Sequence, residues 1–190
     1  MEVEDLDASR MAVLLTLDAL PPTKQKTRLF FEKILFLLTK NLPHELEDLN
    51  ATFEAYRFGP YNEYADELID GLDAAGLVED GVPTDEGAAL ARKVRDSGRG
   101  AQIAHELEGI VNATREMSTD DILYLVYSLY PDYAQSSEIR GRIRSYRLEH
   151  FSIGVDELSE GEAVVVRSDK GSRLRVEKRG NRVLLGPAPD

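Results

Sequence analysis

The apolar positions at the start of the chain fall at helical spacing. Met11, Val13, Leu14, Leu15 and Leu17 lie in a segment from Ala8 to Leu20 that Ala8 or Ser9 caps and Pro21–Pro22 closes. Thr23 then caps a second helix reaching about Lys40. Its stripe is Leu29, Phe30, Ile34, Leu37 and Leu38, and Phe31, Leu35 and Phe36 widen it around most of the circumference, which places this helix at the centre of the fold or in an interface. Residues 41–52 form a polar connection with room for one helical turn. The alternation in TFEAYRF predicts a short edge strand or an extended segment ended by Gly59–Pro60, with Pro60 opening a helix to about Ala75. Tyr64, Ala65, Leu68, Ile69 and Leu72 make its inner face, and Gly76 is its C-cap. Leu77–Val78, a Glu79–Asp80–Gly81 turn and Val82–Pro83 predict a very short hairpin or a loop resembling one. Thr84 caps the next helix, which packs through Ala88, Ala89, Ala91 and Val94 and breaks at Ser97–Gly98–Arg99–Gly100.

Two further helices are predicted, from Gln102 to about Glu116 and over STDDILYLVYSLY. The second opens with the capping box Ser118-x-x-Asp121 and stops at Pro131. Ser136 or Ser137 caps an arginine-rich helix, SSEIRGRIRSYRLEHF. From Glu162 the period becomes two. Three β-rich runs separated by Asp-Lys-Gly and Arg-Gly-Asn predict an antiparallel meander, too small to stand alone and therefore docked on the helices or on a second copy. The expected fold is mainly α and winged-helix-like, with a short wing-like hairpin over residues 1–150 and a small β meander over 151–190 packed on it.

Composition narrows the chemistry. In 190 residues, 42% are hydrophobic and 31% charged, enough for a core without cross-links. The absence of cysteine excludes disulfides, thiolate metal sites and cysteine nucleophiles. The N-terminus is acidic where a signal peptide would be basic, and LFFEKILFLL is short and interrupted by Glu32 and Lys33. A cytoplasmic protein with no membrane partner is expected. The net charge of −12 is uneven: residues 1–139 hold 12 basic and 27 acidic side chains, residues 140–182 hold 11 and 7. Such asymmetry marks two faces with different partners, or one face neutralising the other.

Catalytic constellations do not assemble from these residues. His44, His105 and His150 are far apart, and neither His-Glu segment supplies the second histidine of a zinc-protease helix. There is no glycine loop built to cradle phosphate, and the carboxylates have the spacing of solvated helix faces. A non-enzyme without cofactor or metal is expected. Two basic clusters remain, Arg140, Arg142, Arg144 and Arg147 on the arginine-rich helix, and Arg173, Arg175 and Arg179 on the middle strand of the meander. Together they read as a surface for nucleic-acid phosphates or for an acidic partner.

KTRLFFEKILFLL, followed by FEAYRFGPYNEYADELIDGLDAAGLV, resembles the Panacea domain, the SocA-like antitoxin domain, and uncharacterised archaeal proteins similar to it. The likeness covers about residues 20–95. It implies a compact helical fold that holds a protein partner such as a toxin. Tyr56, Gly59, Pro60 and Tyr61 stand in the matching element and are the partner-binding candidates. The tyrosines Tyr124, Tyr127, Tyr130 and Tyr133 and the apolar second helix are further interface material, although most such stripes are core. The alternative is a transcriptional regulator, expected as a homodimer, that contacts DNA through the arginine helix and meander. Its usual reading helix here carries Glu63, Asp66, Glu67, Asp70 and Asp73 with no base, which opposes an approach to phosphates.

Overall fold

A computed structural model describes residues 1–20, 27–115, 117–141, 163–167, 173–179 and 182–187. Among them, seven α-helices dominate: α1 (Ala8–Ala19), α2 (Arg28–Asn41), α3 (Glu47–Ala51), α4 (Glu63–Ala74), α5 (Asp85–Arg95), α6 (Gly98–Thr114) and α7 (Thr119–Leu129). The strands β1 (Glu54–Tyr56) and β2 (Gly59–Tyr61) pair antiparallel, as do β3 (Val78–Glu79) and β4 (Val82–Pro83). Strands β5 (Ala163–Arg167), β6 (Arg173–Arg179) and β7 (Arg182–Pro187) form a three-stranded antiparallel sheet in chain order.

Helix α2 is the centre of the molecule. Every residue from Phe30 to Thr39 is buried, Glu32 and Lys33 included, and α1, α3, α6, α7, β2 and β7 all touch it. Burying a whole circumference explains why its sequence is apolar on most sides. The helix starts at Arg28 and is capped by Thr27, whose hydroxyl accepts from the Phe30 N–H. Thr23, the expected cap, and Pro21–Pro22 lie outside the described residues. In α1 the cap is Asp7, not Ala8 or Ser9: its carboxylate accepts from the Arg10 N–H at 2.7 Å, while Ser9 turns into the core.

The largest correction concerns Pro60. It lies within β2, opposite Ala55, and α4 begins only at Glu63, capped by the Asn62 side chain accepting from the Ala65 N–H at 3.0 Å. The reason is tertiary: the Pro60 carbonyl accepts from the buried Lys33 ammonium at 2.7 Å. Helix α6 likewise begins at Gly98, not Gln102. Ser97 Oγ caps the Gly100 N–H, and a Cβ on Gly100 would stand 2.0 Å from the Val94 carbonyl oxygen, so this turn packs too closely for any other residue.

Other elements follow the sequence. Asp80 and Gly81, at φ 50° and 74°, turn β3 into β4 as a two-residue hairpin requires. Thr84 caps α5, whose buried face is Gly87, Leu90, Ala91 and Val94, with Ala88 and Ala89 half-buried. Ser118 and Asp121 exchange both hydrogen bonds of the capping box on α7. Strand β7 lies against α2 and α6, and Val176 of β6 is fully buried. Of the segment expected as an arginine-rich helix from Ser136 or Ser137, residues 136–139 form a turn and not a helix, Arg140 and Gly141 are helical, and the rest lies outside the described residues.

Of the four tyrosines expected at an interface, Tyr127 is buried and Tyr124, Tyr130 and Tyr133 are half-buried against the core. Phe36 receives the rings of Phe53, Tyr130 and Tyr133 edge-on, at centroid distances of 5.1, 5.0 and 4.7 Å. The Lys40 ammonium stands 4.9 Å above the Phe36 ring and 5.2 Å from that of Tyr133, and donates to Asn50 Oδ1 at 2.7 Å. Burial lowers the Lys40 pKa and raises that of Tyr133, the latter helped by Asp132.

Candidate functional site

The β1–β2 hairpin presents aromatic side chains on a rigid base. Tyr56 is 52% exposed and Phe58 42%. Its turn is tied to the start of the arginine-rich segment: Arg57 holds Glu138 through Nε at 2.7 Å and Nη2 at 3.2 Å, and the Glu138 N–H donates to the Arg57 carbonyl. Gly59, at φ +90°, lies against α7, where an added Cβ would stand 2.7 Å from a Tyr127 ring carbon. Tyr127 in turn shares a 2.7 Å hydrogen bond with Ser137 Oγ. Gly59→Ala therefore meets both backbone strain and a ring edge. It is expected to cost about 2 kcal/mol, read as a lowered thermal midpoint.

Beneath the hairpin runs a line of alternating charges. Lys33 Nζ donates to the Pro60 carbonyl and lies 3.4 Å from Glu32 Oε2. Glu32 is 3.4 Å from Arg28 Nε, Arg28 pairs with Asp66, and Asp66 accepts from the Tyr61 hydroxyl at 2.9 Å. Burial pulls the Lys33 pKa down to about 8, against the opposing pull of Glu32. The ring of Tyr56 is 5.2 Å from that of Tyr61. A cleft of about 270 Å³ opens here, lined by Leu29, Lys33, Tyr56, Phe58 and Tyr61 among others. Its exposed walls are apolar and aromatic, over an internally balanced charged floor.

A second cleft of about 300 Å³ adjoins it at Arg28, which lines both. Leu17, Leu20, Phe31, Ile69 and Val82 are among its other walls. Helix α4 keeps its acidic exposed face, with Glu63, Glu67, Asp70 and Asp73 in solvent.

The structure thus brings Tyr56, Gly59, Pro60 and Tyr61 together. Sequence reasoning missed Phe58, Arg28 and Lys33. The available signal for Lys33 was a single cation inside an otherwise apolar helix. The basic candidates converge less. Arg140 is half-buried, and Arg175 is exposed on β6 and paired with Glu177 at 3.0 Å. Arg173 and Arg179 belong to the same strand, and Arg142, Arg144 and Arg147 lie outside the described residues. Among the described residues, no group of three or more His, Asp or Glu side chains is placed to hold a metal ion, and no helix is long and apolar enough to cross a membrane. No family model, curated protein or solved structure matches the chain.

Proposed function

We propose that this chain is a non-enzymatic interaction protein, akin to Panacea antitoxins, that holds a protein partner through the β1–β2 hairpin and the cleft beneath it. One observation carries the reading: Tyr56 and Phe58 stay exposed although the hairpin bearing them is anchored on α2, α7 and Glu138. Rigidly held aromatics at the edge of an apolar cleft lose little freedom on binding and make the usual anchors of an interface. The β3–β4 hairpin following α4 fits a winged-helix-like scaffold. With four solvent-facing carboxylates and no base on that helix, the scaffold is used here for protein contact and not for reading DNA.

The test is affinity capture from the source organism with the wild type and with the Tyr56→Ser/Phe58→Ser double variant. The wild type is expected to retain a stoichiometric protein that survives nuclease treatment. The variant should fold with an unchanged thermal midpoint and bind that protein about 30-fold more weakly, as expected on removal of a central aromatic anchor. Retention of nucleic acid lost on nuclease treatment and on Arg140→Glu with Arg144→Glu, with Tyr56 and Phe58 dispensable, would replace this reading with the DNA-contacting regulator.

A further inference from the structure

The three large hydrophobic side chains that are exposed among the described residues, apart from Met1, are Tyr56, Phe58 and Val82. Tyr56 and Phe58 are neighbours on one hairpin and Val82 belongs to the other, and all three line the two clefts that adjoin at Arg28. Monomer surfaces scatter such residues singly, so their collection beside adjoining apolar recesses points to one contact face. Arg28 itself is engaged: Glu32 and Asp66 take its charge from two sides, and Glu32 also faces Lys33. Among the described residues, the seam between the clefts therefore offers no spare cation to an acidic ligand.

Among the described residues, the charges left uncompensated around the face are negative. Helix α4 runs beside both clefts, with Tyr61 just ahead of its cap lining the first and Ile69 lining the second. Its exposed side chains include Glu63, Glu67 and Asp70, it carries no lysine or arginine, and Asp80 at the hairpin turn borders the second cleft. An acidic segment seated here would meet like charge at a cost of several kcal/mol, whereas a basic one is steered in.

Resting on the partner-binding reading above, we infer that the hairpin cleft is half of a two-cleft docking face whose occupant is a segment of a partner protein carrying two apolar side chains among basic residues. One apolar side chain enters between Phe58 and α2, the other between Val82 and Phe31. The basic residues lie along α4.

The probe is a displayed library of random dodecapeptides selected on the full-length protein, with enriched peptides measured by fluorescence anisotropy. The expected peptides combine Leu, Ile, Phe or Trp with Lys or Arg. Val82→Ser should weaken them about tenfold through the loss of one apolar anchor. Glu67→Lys with Asp70→Lys should weaken them about tenfold at low salt and progressively less as salt screens the face. All three positions are exposed, and melting curves confirm that the variants fold. Peptides that need Tyr56 and Phe58 but are acidic, or ignore Val82 and the charge reversals, would overturn this inference and leave the proposed function standing. Peptides that ignore Tyr56→Ser/Phe58→Ser would sink the proposed function as well. A wild-type dimer dissociated by Val82→Ser would assign the face to a second copy of the chain and overturn the inference, as would failure to enrich any peptide.

Discussion

Phe36→Ala is expected to lower the unfolding free energy by about 3–5 kcal/mol, the cost of removing a large aromatic from a well-packed core. The side chain is fully buried and takes the edges of three rings, each contact worth about 0.5–1.5 kcal/mol beyond the area it covers. It also supports the Lys40 ammonium, which is already disfavoured by burial and loses one of its two aromatic partners in the variant. Phe53 belongs to the segment entering β1, and Tyr130 and Tyr133 to the chain after α7, so the cavity would loosen three elements at once. Phe36→Leu keeps much of the volume and should cost about 1–2 kcal/mol. Urea unfolding of the two variants measures this. A loss under about 1 kcal/mol in Phe36→Ala would contradict a central packing role for the ring.

What the sequence disclosed tracks how local its causes were. Thr84 and the Ser118–Asp121 box act within one helical turn, and α5 and α7 begin where those residues place them. The Asp80–Gly81 hairpin is equally local. The start of α6 was missed because Gly98 and Gly100 read as breakers, whereas Gly100 is there for a close approach to Val94. Pro60 was misread for a similar reason. A Gly-Pro pair signals an ending, and its actual partner, Lys33, lies 27 residues away in sequence. The candidate site divides in the same way. Tyr56, Gly59, Pro60 and Tyr61 were visible as a compact motif. Lys33 reads as an interruption of an apolar stripe until the hairpin is folded over it, and the alternation of TFEAYRF does not single out Phe58 until its turn is seen exposed.

Between about pH 8 and 10.5 the wild type is expected to gain about 3 kcal/mol of stability relative to Lys33→Met. In the folded chain, burial holds the Lys33 pKa near 8; in the unfolded chain it returns to 10.5. Below pH 8 both states are protonated, and the full cost of burying the ammonium is carried. Above it the folded state gives up the proton while the unfolded state keeps it, so the unfolded state binds more protons and stability rises with pH. The gain is complete above 10.5. Lys40 contributes in the same direction, and Tyr133, with its pKa raised, in the opposite direction at the alkaline end. Both are present in the variant and cancel in the comparison. Methionine keeps the packed stem and removes the charge, but leaves the Pro60 carbonyl without its donor, a loss of about 1–3 kcal/mol that roughly offsets the relief at pH 7. The two proteins should therefore be of similar stability at pH 7 and diverge above pH 8 by urea unfolding. A pH-independent difference would mean that the ammonium is hydrated. Because the same Nζ anchors β2, Lys33→Met should also speed amide exchange at Tyr56 and Gly59 while leaving the middle of α2 protected, separating the hairpin's attachment from the stability of the core beneath it.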